Sequence, residues 1–165
     1  MANTIVTCTV NGKNREYYID VRSSLSDMLR GQEGLLSIKH GCDVGECGAC
    51  TVLINGQPFN SCIYLAVWAE GKDILTLEGL SNGRDSISDI QQAFIDEGAV
   101  QCGFCTPGFI MSSLPIITQD TPSTREEIRK QIAGNLCRCT GYEKIVNAIE
   151  KTQAKRIAEK KSGKA

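Results

Sequence analysis

Nowhere in its 165 residues does the chain carry an apolar run long enough to span a bilayer. Its opening residues, Met1-Ala2-Asn3-Thr4, have no basic stretch followed by a sustained hydrophobic one, so nothing there reads as a secretory signal. Charge of one sign is missing too. The 18 Lys and Arg stand against 19 Asp and Glu, and a net charge of −1 gives no field to attract nucleic acid or an anionic membrane. No glycine-rich loop of the phosphate-cradling kind is present, which excludes a whole nucleotide-type cofactor domain within this chain. Histidine is reduced to His40 alone, and a Rieske centre needs two. These absences predict a cytoplasmic protein that neither enters a membrane nor binds nucleic acid. Structural disulfides are rare in a reducing cytosol, so the cysteines must be explained by metal or redox chemistry.

There are nine of them: Cys8, Cys42, Cys47, Cys50, Cys62, Cys102, Cys105, Cys137 and Cys139. Cys8 stands alone, on a predicted strand, and reads as a small buried hydrophobe. The other eight divide into an N-terminal four and a C-terminal four. Gly41-Cys42-Asp43-Val44-Gly45-Glu46-Cys47-Gly48-Ala49-Cys50 has the plant-type ferredoxin spacing, four residues and then two between ligands, completed by Cys62 after eleven more. A tetrathiolate [2Fe–2S] unit is an anion, so such a loop must aim backbone N–H groups at the sulfurs. A structural Cys₄ zinc site is the competing reading, although zinc modules usually set two short-spaced pairs apart. In the second set, Cys102 and Cys105 precede a predicted helix N-terminus, a position that favours thiolate. Cys137 and Cys139 lie where one helix ends and another begins. A disulfide across the single residue between them would be strained.

The elements follow from turn and cap signals. Thr4 to Val10 reads as a strand running into the hairpin pair Asn11-Gly12, with Glu16 to Val21 as the return strand. Ser24 with Asp27 opens a short helix that Gly31 and Gly34 should break. Thr51 to Ile54 before Asn55-Gly56 repeats the strand-and-turn pattern. Cys62 to Trp68 is an apolar run of undecided type, and Asp73 to Leu77 a closing strand. Turn formers from Gly79 to Asp85 suggest a boundary. Beyond it four helices are predicted: one carrying Ile87, Ile90, Phe94 and Ile95; one capped by Thr106 with Pro107 in its first turn; one opened by the capping box Thr124/Glu127; and one lined by Ile145, Val146 and Ile149. The basic stretch from Lys151 to Ala165 reads as a frayed, solvated end.

Three motifs in this order, Gly-Cys-Asp-Val-Gly-Glu-Cys-Gly-Ala-Cys, Gln-Cys-Gly-Phe-Cys-Thr-Pro-Gly and Gly-Asn-Leu-Cys-Arg-Cys-Thr-Gly-Tyr, closely resemble the iron–sulfur subunits of the molybdenum hydroxylases, the xanthine dehydrogenase and aldehyde oxidase family. The resemblance covers roughly residues 4 to 150. It implies an α+β chain, with a plant-type ferredoxin-like (β-grasp) domain over residues 1–79 and a four-helix [2Fe–2S]-binding domain over residues 86–160. It further implies that Cys42, Cys47, Cys50 and Cys62 hold the cluster nearer FAD. Cys102, Cys105, Cys137 and Cys139 would hold the one nearer molybdenum, with Gln101 and Cys139 at the pterin cofactor. In that family a molybdenum–pterin centre hydroxylates its substrate with oxygen from water, and electrons leave through the clusters to FAD. The molybdenum–pterin catalytic subunit and the FAD-binding subunit would be partner chains, and a purine the lead substrate. The alternatives are a free-standing ferredoxin-type carrier, a zinc-stapled module without redox function, or the same subunit in an aldehyde, carbon monoxide or N-heterocycle dehydrogenase. Trp68 reads as core or subunit contact rather than an electron-hopping station, and His40 as structural.

Overall fold

Asn11 and Gly12 reverse the chain between β1 (Asn3–Val10) and β2 (Lys13–Asp20), a two-residue turn that leaves Val10 opposite Lys13. The computed structural model describes residues 2–81 and 86–163. β2 begins three residues earlier than its apolar pattern suggested, because the tight turn lets polar Lys13 to Arg15 continue the ladder on the exposed edge. Side chains alternate across a strand, so β1 buries Val6, Cys8 and Val10, while β2 buries Tyr17 and Ile19.

Onto this face packs α1 (Leu25–Glu33), presenting Leu25, Met28 and Leu29 at helical spacing. The Ser24 hydroxyl caps it by accepting from the Asp27 N–H at 3.1 Å. Gly31 is accommodated inside the helix, contrary to expectation, and only Gly34, left-handed at φ 69°, ends it. β3 (Thr51–Ile54), β4 (Gln57–Asn60) and β5 (Asp73–Leu75) complete a mixed sheet in the order β2-β1-β5-β3-β4, with β5 parallel to β1 and antiparallel to β3. The undecided run after Cys62 is a turn followed by a 3₁₀ turn at Ala66–Ala69.

All four residues of β3 are buried, because both its faces are covered. Val52 and Ile54 belong to the core under α1, whereas Leu53 belongs to the core of the helical half. The helical half comprises α2 (Asp89–Asp96), α3 (Thr106–Ile117), α4 (Arg125–Gln131) and α5 (Glu143–Lys161). Its core gathers Ile90, Phe94, Phe109, Ile116, Ile128 and Ile149. The Thr124/Glu127 capping box forms as expected, and a second, Ser88 with Gln91, opens α2. The frayed end is a correction: α5 stays helical to Lys161 and buries Thr152, Gln153 and Ile157. The expected boundary at Gly79 to Asp85 falls partly outside the described residues. Among the described residues, no helix is long and apolar enough to cross a membrane.

Candidate metal centres

The first loop leaves α1 at Gly34 and rejoins the sheet at β3, bringing Cys42 and Cys47 out as half-buried thiols and burying Cys50 just ahead of the strand. Cys62 arrives from the turn after β4. The thiols meet in pairs: Cys42 lies within hydrogen-bonding reach of Cys47, and Cys50 of Cys62. Backbone N–H groups of Val44 and Cys47 point at the Cys42 sulfur and lower its pKa to about 7; Glu46 N–H adds a third donor at 3.4 Å. Burial raises the Cys47 thiol against the N–H of Ala49. Burial, and then the neighbouring Cys50, push Cys62 up to about 11, with the Gly45 N–H opposing. Donors therefore converge on three of the four sulfurs. This is the lining an anionic tetrathiolate unit requires.

The second site forms where the start of α3 meets the loop before α5. Cys102 and Cys139 are exposed with their sulfurs 3.6 Å apart, while Cys105 and Cys137 form a half-buried pair behind them. The N-cap of α3 is Cys105, one residue before the expected Thr106, so a candidate ligand occupies the helix terminus itself. Burial, followed by contact with Cys137, nevertheless pushes Cys105 up to about 12, outweighing the terminus that was expected to favour thiolate. Burial also works to raise Cys137, but the Thr140 hydroxyl and the N–H groups of Thr140 and Cys139 overcome it and lower the thiol. Contact with Cys102 raises Cys139.

Tyr142, which sequence reasoning did not single out, fixes the backbone here. Its hydroxyl accepts from the Cys137 N–H at 3.0 Å, and its ring packs edge-on to Phe109 at 6.1 Å. The only available signal was its place in the third motif.

Pairing distinguishes metals. One zinc ion with four thiolates would hold every sulfur about 3.8 Å from the others. Two pairs per site suit two sulfide-bridged irons with two thiolates each.

The two loops also touch. Leu136 N–H donates to the Cys47 carbonyl at 3.0 Å, and the Phe104 ring lies over Gly41, where an added Cβ would stand 3.4 Å from the ring and 2.9 Å from the Cys47 sulfur. Gln101 is exposed beside Cys102, in surroundings that also expose Val100, Phe104 and Leu136. His40 stands outside the thiol pairs, its Nδ1 2.7 Å from Asp43 Oδ1. Trp68 is 55% exposed, which removes the core reading.

Family comparison agrees with this division. The model described as "2Fe-2S iron-sulfur cluster binding domain" matches residues 8–74, and that described as "[2Fe-2S] binding domain" matches residues 76–150. The xanthine dehydrogenase iron-sulfur-binding subunit of Escherichia coli O157:H7 is 52% identical over 153 residues, covering 90% of this chain and 95% of that one. The chain belongs to the iron–sulfur subunits of the molybdenum hydroxylases. As such a subunit it has two [2Fe–2S]-binding domains and is a component of an oxidoreductase.

Solved relatives of this iron–sulfur subunit carry the same fold. A chain of quinoline 2-oxidoreductase from Pseudomonas putida 86 superposes with a TM-score of 0.89 at 42% identity, covering 99% of both chains. Aldehyde oxidoreductase from Desulfovibrio gigas matches with a TM-score of 0.86 at 36% identity, covering 92% of this chain but 17% of that one.

Proposed function

We propose that this subunit moves electrons from a molybdenum–pterin catalytic subunit to an FAD-binding subunit, by way of Cys102, Cys105, Cys137 and Cys139 and then Cys42, Cys47, Cys50 and Cys62. The observation that carries this reading is the hydrogen bond from Leu136 N–H to the Cys47 carbonyl, because Leu136 adjoins Cys137. That bond joins the backbone of one ligand loop directly to the backbone of the other. Each [2Fe–2S] group, when bound, accepts and releases one electron at a time. The chain's own residues hold the groups, line them with N–H donors and keep them in register. The pairing supports Cys42 with Cys47 on one iron and Cys50 with Cys62 on its neighbour; in the other site, Cys102 goes with Cys139 and Cys105 with Cys137.

The exposure of Cys102, Cys139 and Gln101 supports contact with the pterin cofactor, and the apolar residues around them suit cover by the catalytic subunit. Residues 1–79 and 86–160 act as the two units. The similarity to a xanthine dehydrogenase subunit supports a purine substrate, and the absence of a membrane-crossing helix among the described residues fits a cytoplasmic complex. Substrate choice lies with the catalytic partner, since a quinoline oxidoreductase contains a chain of the same fold.

Isolation of the tagged chain from its own host is the test. Expected are co-purifying molybdenum–pterin and FAD chains, four iron and four acid-labile sulfide per copy, and two EPR signals on reduction. A monomer free of both partners would support a free-standing carrier instead, and zinc in place of iron would exclude electron transfer.

A further inference from the structure

Gly48 separates two candidate ligands of the first site, and its carbonyl is gripped from three directions. Within its own loop it accepts from the Thr51 hydroxyl at 2.7 Å and the Thr51 N–H at 3.2 Å. From the helical half it accepts from the Asn135 side-chain amide at 2.9 Å. A carbonyl oxygen has two lone pairs, both already engaged by Thr51, so the amide is not needed to rescue an orphaned acceptor. Asn135 is 4% exposed, and burying an amide is costly unless its bonds contribute.

What that amide adds is a join between the halves. Asn135 and Leu136, consecutive in the chain, donate to Gly48 and Cys47, also consecutive, and Cys137 follows at once. The backbones approach so closely that side chains are excluded. A Cβ on Gly108 would lie 2.2 Å from the Gly48 carbonyl oxygen, and one on Gly48, already at φ 69°, would lie 2.5 Å from the Gly134 carbonyl oxygen.

We infer that Asn135 is a positioning residue for electron transfer between the clusters: its amide fixes the Gly48 carbonyl so that the adjacent Leu136–Cys47 hydrogen bond stays closed. This inference rests on the ligand assignment proposed above. In the step concerned, one electron leaves the reduced C-terminal cluster and arrives at the oxidised N-terminal one; no bond is made or broken and no proton moves. Packing alone needs no donor: leucine keeps the forked outline of the side chain without one, in a larger volume, and alanine removes donor and bulk together.

Asn135→Leu and Asn135→Ala in the assembled complex test the inference. Both should retain four iron, four sulfide and both EPR signals per chain. The spin–spin interaction between the two reduced clusters should weaken, and transfer to the N-terminal cluster in rapid-mixing experiments should slow severalfold. Reduction of the C-terminal cluster by substrate should keep its rate. Unchanged spin coupling and transfer rate would overturn the inference, and so would loss of a cluster in both variants, which would make Asn135 a structural staple. Failure to find two clusters in the unsubstituted complex would instead overturn the ligand assignment.

Discussion

Cys8 and Cys50 are equally buried, each 2% exposed, yet only Cys50 has another thiol beside it. Burial, and then the charges of Glu70 and Glu33, push Cys8 up to about 11, so it stays a neutral thiol in the sheet. Cys8→Ser should therefore leave iron, sulfide and both EPR signals intact, while the more polar hydroxyl, if left unpaired, costs about 1–3 kcal/mol of stability. Metal analysis and a denaturant titration check the two halves of that expectation, and loss of either EPR signal would mean that the eight-ligand partition is wrong. The grouping of eight thiols into two sets of candidate ligands was legible because spacing is a local property. Asn135 and Tyr142 were not, since what matters is their partners: the bond from Asn135 to Gly48 spans 87 positions. The direction of the Cys105 shift was missed for a related reason, because a helix terminus can be read from sequence whereas burial cannot.

Local signals decided which elements could be read in advance. The Asn-Gly turns and the Thr124/Glu127 box involve residues within three positions of one another, and all formed. The end of α5 misled because its buried stripe passes from Val146 and Ile149 to polar Thr152 and Gln153, which resemble a solvated face. Gln153 is instead a clasp: its amide donates to the Ile116 carbonyl at 2.9 Å and accepts from the Ser123 N–H at 2.8 Å. Beyond it Arg156 forms two 2.6 Å bonds with Asp89 of α2. A chain stopped after Lys155 should thus lose that pair and the burial of Ile157, together about 2–5 kcal/mol. One stopped after Lys161 should match the full chain in denaturant midpoint. The Arg156 bonds hold the Asp89 carboxyl below its ordinary 3.8, so their stabilisation is complete above that value and disappears as pH falls through the lower, folded one. Asp89→Asn should accordingly cost a constant amount at neutral and mildly acidic pH. Its penalty should shrink only below 3.8. Denaturant midpoints of both proteins across pH check this, and a penalty already shrinking at neutral pH would rule the pair out as its source.

At the scale of the whole molecule, the two sites sit in units with separate cores, so each can be disabled alone. Cys47→Ser should abolish the N-terminal EPR signal while substrate still reduces the C-terminal cluster in the assembled complex. FAD should then stay oxidised and turnover collapse. Rapid-mixing spectra with FAD reduced at the normal rate would refute the proposed relay, since the N-terminal cluster would then lie off the path. The units are nonetheless not interchangeable modules, because β3 is walled on one face by α1 and on the other by α3. Synthesis on the ribosome gives that shared strand a direction in time. All five strands are translated before the first helix of the second half begins at Asp89, and the Gly48 carbonyl lacks its third donor until the nascent chain has passed Asn135. The loop bearing the thiols at 42, 47, 50 and 62 is therefore complete in sequence while the residue that will later clamp it is still untranslated.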